Sequence, residues 1–389
     1  MSGLPPSSDS PSSLDLSPQS NDVSIALDLI RALAAQAVCV GHAFSFFGVY
    51  PSLRSDRVPY MQNLGVIVFF WLSGFLIAHA LVRNVARDDG GFWRYAVDRF
   101  ARVYSAYVPA LLFIWVVDSL VLRLGRYEFP TYLTAKVFLG TLLMFQNYPG
   151  SYLTTWSVPS LGSGGPLWTL SVEFHIYLFV GALFFFVRAR GWLLQTVLLV
   201  LVLVTAAVPL RYLFGDVQEH VGTGLFSLWL LGFATYFVIR GGGGLNLART
   251  LCWLAALGAF WWYGRHVTHA REYAPEQYVV LAGGFAFLVL ALLRTRVFVN
   301  RLVLPRVVRV FADYSYSLYL VHYTILYALF RLWTGSPRAG AWLGVVLANA
   351  VALALAWFTE FRHKQLAGWL RAKVASVVPS RVPDRAMQS

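Results

Sequence analysis

Ten apolar segments, each close to the ~20 residues that a helix needs to cross the hydrocarbon of a bilayer, recur along the whole chain. They run roughly over 24–47, 62–82, 103–122, 167–187, 192–209, 225–240, 250–267, 277–293, 311–333 and 340–361. Such a series excludes a soluble domain, which has no interior large enough to hide it. Composition agrees: 58% of the 389 residues are hydrophobic and 13% are charged, against about 25% charged in soluble proteins. The expectation is an all-α, polytopic membrane bundle of about ten transmembrane helices.

The basic residues set its orientation. They cluster between the apolar runs, at Arg83, Arg87, Arg94, Arg99 and Arg102; Arg188 and Arg190; Arg240 and Arg249; Arg294, Arg296, Arg301, Arg306 and Arg309; and Arg362, Lys364, Arg371, Lys373, Arg381 and Arg385. Ten crossings put all five clusters and the N-terminus on one side, and the positive-inside rule makes that side the cytoplasm. The net charge of +13 is thereby read as topology rather than as a nucleic-acid footprint. Residues 1–21, rich in Ser and Pro, read as a disordered tail, 22–365 as the membrane domain and 366–389 as a basic cytoplasmic tail. Segment 131–146 is apolar but short, and counting it as a span would invert every later loop. It reads as an interfacial or re-entrant element on the outer side. The glycine run at 241–244 reads as a cytoplasmic turn, and Cys39 and Cys252 as packing residues.

Ionisable residues inside apolar helices are costly, which makes them functional candidates. Arg31 and His42 stand eleven residues apart in the first segment, about 16 Å along a helix and nearly on one face. Asp28, three residues before Arg31, can pair with it. Glu173 lies inside the fourth segment at a depth like that of His42, so the two can form a base and its orienting carboxylate. The alternative is a structural hydrogen bond to Tyr or Ser. His175 points to another face and reads as packing. In the ninth segment His322 lies near mid-membrane, approached by the hydroxyls of Ser315, Tyr316, Ser317 and Tyr319. These can serve a substrate or glue a helix seam. Arg99 and Arg102 either set topology or grip phosphates. Ser73 reads as close packing and His79 as interfacial. His266 and His269 share a loop with no carboxylate in register, and no spacing suggests a metal site.

Taken together and in order, these segments resemble the acyltransferase 3 family of integral-membrane O-acyltransferases. The marks are Arg31 and His42 as R-x10-H; FFWLSGFLI at 69–77; FWRYAVDRFARVY at 92–104; PLWTLSVEFHIY at 166–177; YSYSLYLVH at 314–322; and TEFRHK at 359–364. The likeness covers about 22–365. It implies a ten-helix fold and transfer of an acyl group, most simply acetyl, from cytoplasmic acyl-CoA to a hydroxyl of a carbohydrate or glycosylated acceptor. His42 looks like the essential histidine of that family, Arg31 like its partner, and Glu173 like the glutamate of the W-[ST]-L-S-x-E motif. Arg31, Arg99 and Arg102 would bind the phosphates of acyl-CoA, a co-substrate rather than a resident cofactor. Asp28, His322, Tyr316 and Ser317 would support the site. Two departures stand out. The usual R-x-x-R-[IL]-x-P stretch has Ser105 where proline is expected, with proline delayed to Pro109. The terminal E-[KR]-P reads Glu360, Phe361, Arg362, His363. The expected setting is a bacterial inner membrane, with lipids as the remaining partner. Two readings of other classes compete: a proton-coupled transporter or flippase of glycan intermediates, and a non-catalytic scaffold.

Overall fold

The computed structural model describes residues 16, 20–49, 58–126, 130–146, 158–216, 220–241, 249–293, 295–300 and 304–377. Most of the N-terminal tail, the core of the glycine run and the end of the basic tail lie outside the described residues. Among the described residues there are fourteen α-helices and no strand. In chain order they are α1 (Asp22–Phe47), α2 (Met61–Val85), α3 (Phe92–Arg123), α4 (Ala135–Leu142), α5 (Leu167–Phe186), α6 (Trp192–Thr205), α7 (Ala207–Phe214) and α8 (Leu225–Gly241). They continue with α9 (Arg249–His266), α10 (Pro275–Leu292), α11 (Leu304–Asp313), α12 (Ser315–Leu332), α13 (Pro337–Phe358) and α14 (His363–Val377). All-α is therefore the fold class.

Six helical stretches are long and apolar enough to cross a membrane, or seven if α6 and α7, bent by 45°, make one span. Each of the ten apolar segments falls on a helix or a helix pair. However, α8, α9 and the broken pair α11–α12 fall short of those limits of length or apolarity. Segment 131–146 forms α4, whose eight residues span about 12 Å and cannot cross hydrocarbon. Residues 363–377, placed partly in the basic tail by sequence, form α14 instead.

The chain divides into two compact units, 1–79 with 210–315, and 80–209 with 316–389. In the first unit α1 packs on α10 and α11, and α10 packs on α8 and α9. Small residues let backbones approach, the usual basis of helix association in lipid. A Cβ on Gly74 of α2 would fall 2.0 Å from the Trp229 carbonyl oxygen, and one on Gly232 of α8 would fall 2.0 Å from the Trp71 oxygen. Gly41 and Gly65 bring α1 and α2 together in the same way. The start of α1 is fixed by Asp22, which is fully buried. Its carboxylate accepts from the Thr295 hydroxyl and from the backbone N–H groups of Val297, Phe298 and Val299 at 2.6–3.1 Å.

In the second unit α3 packs on α4, α5, α13 and α14, and α5 packs on α6. At 32 residues α3 is about 48 Å long, well over the roughly 30 Å of hydrocarbon. It runs unbroken through Pro109, and the arginine-bearing stretch 92–102 is its first third. The C-terminal carbonyls around α4 are taken by side chains of its neighbours. Tyr104 donates to Leu142 O, Tyr107 to Thr141 O and Ser171 to Met144 O. That satisfies the exposed end of a short helix held among apolar partners.

Candidate active site

In the first unit, α1 is an uninterrupted helix that carries Asp28, Arg31 and His42. Arg31 Nη2 donates to Asp28 Oδ1 at 2.9 Å, with both side chains about one-fifth exposed. Arg309 and Asp313 of α11, themselves paired at 3.2 Å, act electrostatically on Asp28. Arg31 thus belongs to a four-member charge cluster at one end of α1. His42, half-buried, stands about 16 Å further along the helix. Ser73 accepts from Trp229 Nε1 at 3.1 Å, a packing role. Glu173 belongs to the other unit, so the expected partnership of His42 and Glu173 is carried below as a proposal.

The second unit brings motif residues of α3, α5, α12 and the TEFRHK stretch near one another. The first contact is an ion pair. Glu360, 1% exposed, accepts from the Ser317 backbone N–H at 3.1 Å and the Ser317 hydroxyl at 2.9 Å through one carboxylate oxygen. The other oxygen lies 2.8 Å from Arg102 Nη2. Arg102 and Ser317, expected to hold substrate, are therefore joined to each other by a buried carboxylate from the TEFRHK motif. Tyr316 donates to Val103 O at 3.0 Å, so its hydroxyl also ties α12 to α3.

Glu173 accepts from Tyr177, one turn on in α5, and it acts electrostatically on Tyr316 and Tyr319 of α12. Tyr319 bonds to Thr169 Oγ1 and donates to Pro166 O at 3.1 Å. The PLWTLSVEFHIY and YSYSLYLVH motifs consequently lie side by side. His322 is fully buried, its Nδ1 2.9 Å from Tyr319 O and 3.1 Å from Leu318 O. Carbonyls only accept, so Nδ1 carries the proton and Nε2 presents the lone pair. His175 makes the same i−4 bond to Ser171 O at 2.8 Å, in keeping with packing.

Around Arg99 the charges are cationic. Arg94 pairs with Asp89, Arg371 with Asp98 at 3.0 Å, and Arg102 with Glu360, whereas Arg99 has no carboxylate partner among the described residues. Its Nε is buried without a hydrogen-bond partner there. Arg99, Arg102 and Lys364 all act electrostatically on His363, whose Nδ1 donates to Glu360 O at 2.6 Å. Three cationic side chains around one imidazole form a place suited to phosphate oxygens. No group of three or more metal-ligating side chains occurs among the described residues.

Three further buried polar groups, Asp118, Gln146 and Glu272, stand outside the residues singled out from sequence. Asp118 in α3 is fully buried and binds Ser163, and Gln146 joins Tyr107 to Leu167 O. An acid inside the apolar run VVDSL was a readable signal. In the first unit Glu272, 2% exposed, accepts from Tyr60 N and from the side chain of Asn63. It also lies 3.4 Å from His269 Nδ1, so that loop does have a carboxylate in register. Burial pushes the Glu272 carboxyl above its ordinary range, partly offset by the bonds from Asn63 and Tyr60.

The family described as acyltransferase domain, acyltransferase 3, matches residues 24–361. An O-acetyl transferase of Shigella phage Sf6 is 25% identical over 266 residues, which cover 66% of this chain and 74% of that protein. Protein 2 in the picA locus of Rhizobium radiobacter is 42% identical over 89 residues, 22% of this chain and 41% of that protein. No solved structure matches the chain significantly.

Proposed function

Since the chain belongs to the acyltransferase 3 family, a family of membrane acyltransferases, we propose that it moves an acetyl group from cytoplasmic acetyl-CoA to a hydroxyl of a carbohydrate acceptor. A surface polysaccharide or lipid-linked glycan fits that class, and the membrane is a bacterial inner membrane. The chain crosses it ten times with both termini in the cytoplasm, where the arginine clusters lie. The phage relative named as an O-acetyl transferase supports the reaction type.

The observation that carries this reading is the unbroken α1, which holds His42 about 16 Å from the charged cluster of Arg31. That distance is a path from the cytoplasmic boundary toward the membrane interior. The phosphates of acetyl-CoA are held by Arg99, with Arg31 and Arg102 adding positive potential. The acceptor hydroxyl oxygen attacks the thioester carbonyl and the C–S bond breaks. His42 takes the hydroxyl proton and returns it to the leaving thiolate. Glu173 balances the charge of the imidazolium, and His322 accepts a hydrogen bond from the acceptor through Nε2. A covalent route, in which His42 itself carries the acetyl group before transfer, differs by leaving label on the protein.

Mass spectrometry of surface glycans tests the function. A strain lacking the gene loses an acetyl mass on one glycan, and the wild-type gene restores it while His42→Ala does not. Unchanged glycan masses in the deletion strain would remove the proposal.

A further inference from the structure

Asp118 is a fully buried carboxylate in the second unit that the reaction does not use. It is fully buried in the apolar part of α3, five residues before the end of that helix. Burial opposes its charge, and so does the negative end of the helix dipole. Both of its oxygens are engaged by one residue. Oδ2 accepts from the Ser163 backbone N–H at 2.7 Å and Oδ1 from the Ser163 hydroxyl at 2.8 Å. The Ser163 oxygen lies 2.7 Å from Thr324 Oγ1. A carboxylate has no proton to give, so Ser163 donates to Asp118 and Thr324 donates to Ser163.

This chain of hydroxyls joins three elements that carry the site. Ser163 sits in the turn that leads into α5. There Gly162 adopts a left-handed φ of 49°, Gly164 N donates to Leu161 O at 2.7 Å and Leu167 N to Gly164 O at 3.0 Å. Pro166, at the end of that turn, accepts from Thr169 and Tyr319. Glu173 lies seven residues further, about two helical turns. Thr324 is two residues past His322 on α12. Shifting Ser163 therefore shifts the start of α5, and releasing Thr324 frees α12 to slide against it.

We propose that Asp118 is a positioning residue: through Ser163 and Thr324 it fixes the turn before α5 against α12, and so holds Glu173 and His322 in register for transfer. This rests on the reading of Glu173 and His322 as site residues. The donor phosphates are bound elsewhere in the unit, so loss of the tie lowers turnover and leaves the KM for acetyl-CoA alone. Asn at 118 still accepts from the Ser163 N–H, and its amide donates to the Ser163 oxygen, so the tie survives without the charge.

The test measures labelled acetyl-CoA incorporation into endogenous acceptor in membranes containing the full-length protein, normalised to monodisperse protein recovered by size-exclusion chromatography. Asp118→Ala should lower kcat at least tenfold with the KM for acetyl-CoA within about twofold, and Asp118→Asn should recover to within about threefold of wild type. If Asp118→Ala does not fold, Ser163→Ala and Thr324→Val each remove one link and should lower kcat three- to tenfold. Unchanged kcat in the folded alanine or valine variants overturns the proposal. Asp118→Asn as impaired as Asp118→Ala also overturns it, because the charge itself would then be acting. Glu173→Gln separates the two readings. Normal turnover there sinks the site assignment, whereas its loss beside normal Asp118→Ala sinks only the positioning role.

Discussion

Replacing Arg102 by Ala removes the cation beside Glu360 and leaves a carboxylate that is 1% exposed facing a new gap. Breaking a buried pair on one side costs about 3–5 kcal/mol, because the remaining charge is stranded away from water. Arg102 is itself 28% exposed, so water can partly replace it, and the low end, about 3 kcal/mol, is the appropriate figure. At roughly 2–4 °C per kcal/mol for mid-sized domains, this lowers the apparent melting temperature by about 6–12 °C. Glu360→Gln keeps an acceptor for both Ser317 donors and loses only the ion pair, so its cost is about 1–2 kcal/mol. The double variant no longer strands a charge and should be more stable than Arg102→Ala alone. The assay is thermal loss of the monodisperse peak of purified protein in detergent for wild type, both single variants and the double variant. Additive effects, with the double variant least stable, would refute the claim that Arg102 serves Glu360 rather than substrate alone.

Arg99 is expected to behave differently from Arg102. Arg99→Ala should leave thermal stability near wild type and raise the KM for acetyl-CoA about tenfold, the scale of one lost charged hydrogen bond, which steady-state kinetics will measure. Gly74→Ala should sharply reduce recovery of folded protein, since its Cβ would meet a backbone oxygen at 2.0 Å, while Gly258→Ala, with nothing within 4 Å, should not; detergent chromatography reads both. Glu272→Gln should stabilise the protein at neutral pH. Burial raises the Glu272 carboxyl above 4.5, so its contribution is full below that value and is lost as pH rises through the raised one. The stability gap between the variant and wild type should therefore close on acidification, and a gap that widens in acid contradicts the assignment.

Helices were legible from sequence because apolar runs and backbone self-satisfaction are local properties. Their ends and breaks were less so. The apolar run at 311–333 is divided at Tyr314 into α11 and α12, and α3 continues back through its arginines to Phe92. Hydropathy alone registers neither, because helix geometry tolerates charged residues beyond the hydrocarbon. Candidate site residues were legible where an ionisable group stood inside an apolar run, as Arg31, His42, Glu173 and His322 do. Partners within a helical turn were legible, Asp28 for Arg31 and a tyrosine, Tyr177, for Glu173, whereas partners on other elements were not. Glu360 meets Arg102 across 258 residues of chain, and Glu272 meets Asn63 across 209, distances at which spacing carries no information. Asp118 is the exception, since the cost argument applied to Glu173 applies equally to it.

Under the proposed function His42 is required for moving acetyl from acetyl-CoA. Membranes containing wild-type protein, His42→Ala or Glu173→Gln, each normalised for folded protein, are supplied with labelled acetyl-CoA, and label is followed into carbohydrate. Incorporation is expected from the wild type, none from His42→Ala and strongly reduced incorporation from Glu173→Gln. Wild-type rates of incorporation by His42→Ala would contradict that requirement.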